Sequence, residues 1–207
     1  MGKTPARKKT TADQKSSDRI EQIKSAAEQI FASKGFAGTS MQDIADACDI
    51  SKALLYHHFE SKDQIYVLVA TEAGKKLYSY VDQRIAGDML PSQRLRLFMI
   101  GTAEHFHRNR WAWIASTNAF WSGPERKRHR SRVMLRDKYE HQLRDIIKAG
   151  VDAGEIDPAT DVAMAGRLVL SSLNWMHRWY NPDKELLPQD IAEQYFKMIF
   201  NGIRARP

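Results

Sequence analysis

Cysteine is almost absent: Cys48 stands alone in 207 residues. No intrachain disulfide can form, which points to a reducing compartment, the cytoplasm. Long apolar runs are missing too. None approaches the ~20 residues that a membrane-spanning helix needs, so no membrane partner is expected. The opening stretch, MGKTPARKKTTADQKSSD, carries charge but no apolar core, and is not expected to act as a secretory signal. Strands leave no trace, since no stretch alternates apolar with polar residues. Also missing are a Walker loop, a dinucleotide fingerprint, a nucleophile elbow and a cysteine–histidine spacing suited to a metal. His105 and His107 are two apart on a helix and diverge, and His57 and His58 point about 100° apart. Catalysis, a metal site and a bound cofactor are therefore not expected.

What is present is helix-forming sequence. Apolar residues make up 43% and charged residues 28%, the balance of a globular chain rather than a disordered one. A formal net charge of +7 favours a polyanionic partner. Residues 1–17 hold Lys3, Arg7, Lys8, Lys9 and Lys15 with little to bury. They read as a disordered basic tail, either merely solvated or an arm that follows DNA phosphates.

From Asp18 the pattern turns helical. Ile20, Ile23, Ala27, Ile30 and Phe31 recur at three- and four-residue steps, a core-facing stripe. Gly35 follows Lys34 and ends that helix. Thr39-Ser40 opens a second helix, with Asp43 spaced to close a capping box. Asp49-Ile50-Ser51 is a turn, and Lys52 to His58 makes a third, short helix. Ser61 with Gln64 reads as another capping box, opening a helix to Arg84 of roughly 35 Å, long enough to join two domains.

Past Gly87 the sequence predicts four or five more helices. They begin at Pro91, near Trp111, near Glu125, at Ala159 and near Pro188. The predicted architecture is all-α. A helix-turn-helix unit spans 18–62, and a helical bundle spans 63–207.

Helix, three-residue turn, helix is the outline of a DNA-reading unit. Its recognition helix needs small or polar side chains toward the groove and apolar anchors behind. Leu55 and Phe59 are the anchors. Lys52, Ala53, Leu54 and His57 point outward. Lys52 suits guanine O6 and N7, and Ala53 or Leu54 suits a thymine methyl. Tyr56 and His57 reach phosphate oxygens. Thr39, Ser40 and Ser51 stand at helix N-termini, where amide protons favour phosphate. Lys62 adds a further phosphate contact. Singly, Ser51 and Ser61 read equally well as plain caps.

Residues 20–66 closely resemble the N-terminal domain of the TetR/AcrR family of bacterial transcriptional regulators. The matching marks are Ala27 and Phe31, Gly35-Phe36, Thr39-Ser40, Ile44-Ala45, Ser51-Lys52, Leu55-Tyr56 with Phe59, and Ser61-Lys62. Asp49 departs from the glycine common at that turn. It is expected in a left-handed conformation, which aspartate tolerates. The resemblance implies that Thr39, Ser40, Ser51, Tyr56 and Lys62 hold phosphates of double-stranded operator DNA. It also implies that Lys52, Ala53, Leu54 and His57 face bases.

One short helix reads too few base pairs for specificity, so a two-fold dimer on a palindrome is expected. The segments 161–176 and 191–203 carry more apolar surface than one small bundle buries, and they are the expected homodimer seam. The alternative is that both are ordinary core helices. Dimerisation through the last two helices is also what the resemblance implies.

All five tryptophans lie in the C-terminal part. The resemblance implies that the bundle encloses an effector. Trp111, Phe120 and Trp121 are candidates to line its site, the alternative being a plain aromatic core. Arg126, Arg128 and Arg130 crowd one helix start and suit phosphates, where the plainer reading is a solvated basic face. The segment 173–188 resembles regulators of fatty-acid, aromatic-acid or steroid degradation that respond to acyl-CoA thioesters. It adds Asn174, Trp175, Arg178 and Trp179. The reading is thus a repressor released by an acyl-CoA. Its rivals are an efflux regulator answering to lipophilic drugs and a non-specific DNA-binding structural protein.

Overall fold

The computed structural model describes residues 11–118 and 130–205, without the side chains of 11–13, 118 and 130–135. The described residues form nine α-helices and no strand. The first three are α1 (Thr11–Lys34), α2 (Met41–Ala47) and α3 (Lys52–His58). The long connector is α4 (Lys62–Arg84). The bundle adds α5 (Pro91–Arg108), α6 (Arg110–Asn118), α7 (Arg130–Asp152), α8 (Val162–Trp175) and α9 (Pro188–Ile203). An all-α architecture is what the apolar spacing predicts. No helix among the described residues is long and apolar enough to cross a membrane.

Several boundaries differ from the sequence expectation. α1 begins at Thr11 and not near Asp18. Composition marks residues 11–17 as tail, yet they contain no helix breaker, and Gln14 donates to Asp18 one turn on. Residues 1–10 of the tail lie outside the described residues, and so does the expected helix start at Glu125. α8 begins at Val162 because the Asp161 carboxylate accepts from the Ala163 and Met164 amides. It stops at Trp175, and Met176–Arg178 tightens into a 3-10 turn.

Two cores form. The smaller gathers Ile23, Phe31, Ile44, Leu55, Phe59, Ile65, Tyr66 and Val69 from α1 to α4. Ala115 of α6, 1% exposed, completes it. The larger gathers Leu95, Phe98, Phe106, Leu143, Ile147, Val169, Leu173 and Ile191. Each such side chain contributes about 1.5–3 kcal/mol of burial. α4 serves both, with Ile65 to Ala70 in the first and Val81 in the second. α6 lies against both α1 and α4. The reader and the bundle therefore share two helices.

Candidate nucleic-acid interface

The approach to α2 is built from glycine and threonine. Gly35 takes φ 71° and ends α1. A side chain at Gly38 would put its Cβ 2.5 Å from the Lys34 carbonyl oxygen, so only glycine fits there. Thr39 is buried, and its hydroxyl donates to Gly35 O at 2.7 Å. Ser40 then caps α2. Its Oγ accepts from the Asp43 amide, and the Asp43 carboxylate accepts from the Ser40 amide, as the capping-box spacing predicts. Lys34 pairs with the same carboxylate. The Lys34 hydrogen bond, with those from Ser40, holds Asp43 well below the usual carboxylate range.

The turn into α3 carries Asp49 at φ 51°, the left-handed conformation expected of it. Ser51 Oγ accepts from the Leu54 amide at 3.1 Å and starts the helix. Leu55 and Phe59 are 0% and 6% exposed and fasten α3 to the core. Lys52, Ala53, Tyr56 and His57 are exposed and Leu54 is half-buried. The Lys52 ammonium lies 6.0 Å from the Tyr56 ring centre, so cation and phenol share one side. Ser51, Lys52, Ala53, Tyr56 and His57 thus form one outward face with donors and a small apolar spot. Donors at the ends suit phosphates, and Lys52 with Ala53 suits base edges.

Lys62 is set differently. Its ammonium donates to the carbonyls of Phe36 and Thr39 at 2.7 and 2.6 Å, and sits 4.4 Å over the Phe36 ring. It ties the start of α4 to the α1–α2 turn instead of reaching outward. The Ser61–Gln64 pair also differs from expectation. Ser61 Oγ accepts from the Gln64 amide, but the Gln64 side chain accepts from the Glu60 amide. The return bond falls one residue earlier than a capping box would place it.

Of the expected effector residues, Phe120, Trp121, Arg126 and Arg128 lie outside the described residues, as does the Arg130 side chain. Trp111, Trp175 and Trp179 are 49%, 62% and 45% exposed, and Asn174 and Arg178 are exposed too. The Arg178 guanidinium lies 5.4 Å over the Trp175 ring. Among the described residues, these side chains face outward. Met164 and Leu168 of α8 are exposed as well. The aromatic rings that do turn inward are others. Trp113 meets Phe106 at 5.5 Å, Phe106 meets Tyr180 at 5.7 Å, and Phe98 stacks on Tyr139 at 4.8 Å. Trp113 was legible in principle: two residues from Trp111 on a helix, it points about 200° away.

Residues 23–69 match the family described as bacterial regulatory proteins, tetR family. Residues 88–203 match the tetracyclin repressor-like C-terminal domain. The chain belongs to the TetR family. The transcriptional repressor KstR2 of Mycolicibacterium smegmatis is 29% identical over 197 residues, covering 93% of this chain and 94% of that protein. The structure of PfmR from Thermus thermophilus is 36% identical, with a TM-score of 0.76 over 86% of this chain and 97% of that one. The structure of AibR with isovaleryl coenzyme A and operator DNA is 26% identical, with a TM-score of 0.77 over 88% of this chain and 98% of that one. This TetR-family protein is a DNA-binding transcriptional regulator and not an enzyme.

In this regulator the reader is tied to the bundle by named contacts. Lys24, 4% exposed, bridges Glu21 on α1 and Glu72 on α4. Further along α4, Arg84 pairs with Glu104 on α5 and donates to the Tyr80 hydroxyl, which donates to Glu104. Gly101 admits the Arg84 stem, since a Cβ there would stand 3.0 Å from Arg84 Cδ. Beside them His105 is buried, and that burial, with Lys76 and Arg108, lowers its pKa to about 4.

Proposed function

We propose that this regulator works in the cytoplasm as a homodimer on a palindromic operator, and that an acyl-CoA thioester releases it. The outward α3 face carries the operator part of this reading. One copy of α3 reads few base pairs, and two copies about 34 Å apart would read successive major grooves. The seam is the face of α8 and α9 that bears Met164, Leu168, Trp175 and Met198, between 55% and 69% exposed. Large exposed apolar side chains in register mark an association surface. The acyl-CoA is supported by likeness to AibR, whose structure holds isovaleryl coenzyme A and operator DNA. Arg126, Arg128 and Arg130 would supply cations for its phosphates.

Release follows from linkage. A ligand that prefers a setting of α4 different from the operator-bound one must weaken operator binding, by the same free energy with which the operator weakens the ligand. A coupling of ~3 kcal/mol is about 150-fold.

Footprinting tests this reading. One palindromic tract should be protected, and alanine at Lys52 and Tyr56 together should abolish protection. Decanoyl-CoA should release the tract, and a bound ligand at 100 times its Kd should stabilise by about 2.7 kcal/mol. Protection spread evenly over all sequences would support a non-specific DNA binder. Release by lipophilic drugs, unaffected by alanine at Arg126 and Arg128, would support the efflux-regulator reading.

A further inference from the structure

Two donors on α6 lack an acceptor among the described residues. The indole N–H of Trp113 is buried with its ring, 8% exposed, and has no partner; Arg110 Nε is likewise buried and unpaired. Nearly all buried donors in folded proteins are paired, and an orphan costs about 1–3 kcal/mol. Residues 110 and 113 are one turn apart on α6, so both orphans lie on one side of it. A third, Thr71 Oγ1, lies on α4, against which α6 packs.

The surroundings are aromatic. Phe106 lies 5.5 Å from the Trp113 ring, and Tyr180 lies 5.7 Å from Phe106. Burial pushes the Tyr180 phenol up, and the charge of the Arg110 guanidinium pulls against it. The Tyr180 hydroxyl is already engaged with His107 Nδ1 at 2.8 Å. The place therefore offers free donors, one a cation, beside apolar rings. Its complement is an oxygen acceptor on a hydrocarbon stem.

We propose that Trp113 Nε1 and Arg110 bind the acyl oxygen of the effector, with its hydrocarbon part against Phe106 and Tyr180. The chemistry is shared by a thioester carbonyl and a free carboxylate. It rests on the effector reading above and moves acyl recognition from Trp175 and Trp179 to the inner face of α6.

Three probes test it on the full chain: decanoyl-CoA, the thioether S-decyl-CoA, which lacks the acyl oxygen, and decanoate. Decanoyl-CoA should bind about ten-fold tighter than the thioether, the worth of one good hydrogen bond. The Trp113 indole N–H resonance, assigned with Trp113→Phe, should move downfield with decanoyl-CoA and not with the thioether. In Trp113→Phe the ten-fold preference should vanish. Equal binding of the two CoA compounds by the wild type, or an unmoved indole resonance with decanoyl-CoA bound, overturns the subsite and leaves the acyl-CoA reading intact. If decanoyl-CoA neither binds nor releases the operator, the acyl-CoA reading falls and decanoate decides. A downfield indole shift then upholds the subsite for a carboxylate, and no shift overturns it.

Discussion

The hydroxyl of Tyr66 donates to the backbone carbonyl of Ser116 at 3.3 Å, and also to that of Ala115 at 3.4 Å. Its ring meanwhile packs in the reader, 5.4 Å from Phe31 and 5.2 Å from Phe36. One side chain thus touches both the DNA-reading core and the last turn of α6. Tyr66→Phe keeps the ring and deletes the bond. The expected cost is about 1 kcal/mol of stability. The larger effect should be on coupling: the drop in operator affinity caused by the effector should shrink several-fold. Operator titrations with and without effector measure it, and an unchanged ratio in the variant sinks the idea.

Lys62 makes a sharper prediction, because the inward and outward settings differ in salt dependence. A phosphate contact adds about 0.9 to the slope of log K against log salt. An ammonium bonded to Phe36 O and Thr39 O contributes none of this. Lys62→Gln should therefore leave the slope unchanged while lowering stability by about 2–3 kcal/mol, the worth of hydrogen bonds to a charged group. A slope reduced by nearly one unit at unchanged Tm would return Lys62 to the phosphates.

His105 should make stability pH-dependent. Burial comes first among the causes that lower its pKa to about 4, and Lys76 and Arg108 add to it. In the unfolded chain the ring takes a proton near pH 6.5. Between that pH and about 4 the unfolded state binds a proton that the folded state refuses. Stability from this residue is whole above pH 6.5 and is lost as pH falls toward 4, by about 1–3 kcal/mol in all. Glu28 acts in the opposite sense, since burial raises its pKa and protonation favours the folded state. The comparison must therefore be between wild type and His105→Gln, by urea unfolding at pH 7 and pH 4.5. Equal losses in the two proteins would refute the assignment.

The reader was legible in the sequence because its signals are local. Ser40 with Asp43, Ser51 before Leu54, and Leu55 with Phe59 each follow from spacing along one helix. Asp49 needed only knowledge of which residues tolerate positive φ. Lys62 was not legible, because its acceptors are backbone carbonyls more than twenty residues away, brought close only by packing of α1, α2 and α4. The outward setting of Trp175, at the end of α8, was hidden for another reason. An apolar stripe on α8 reads alike whether it faces a core or a second chain, so inward and outward tryptophans look the same in sequence. The burial of Ala115 in the reader core is a long-range contact of a small residue and leaves no pattern at all.

That ambiguity of α8 has a direct test. Leu168 is 55% exposed on the face that also bears Met164 and Trp175. On a free surface, Leu168→Glu would change stability by no more than about 0.5 kcal/mol. In a two-fold seam it would bring like charges from both copies into an apolar interface, at a cost of several kcal/mol. The expected result is a monomer by sedimentation where the wild type is a dimer. Operator affinity should fall by orders of magnitude, since one reading helix per complex is lost. Leu90→Glu, at a residue 57% exposed just before α5, serves as the comparison and should leave assembly unchanged. If Leu168→Glu still sediments as the wild type does and still holds the operator, α8 is not the seam. The outward tryptophans would then need another partner.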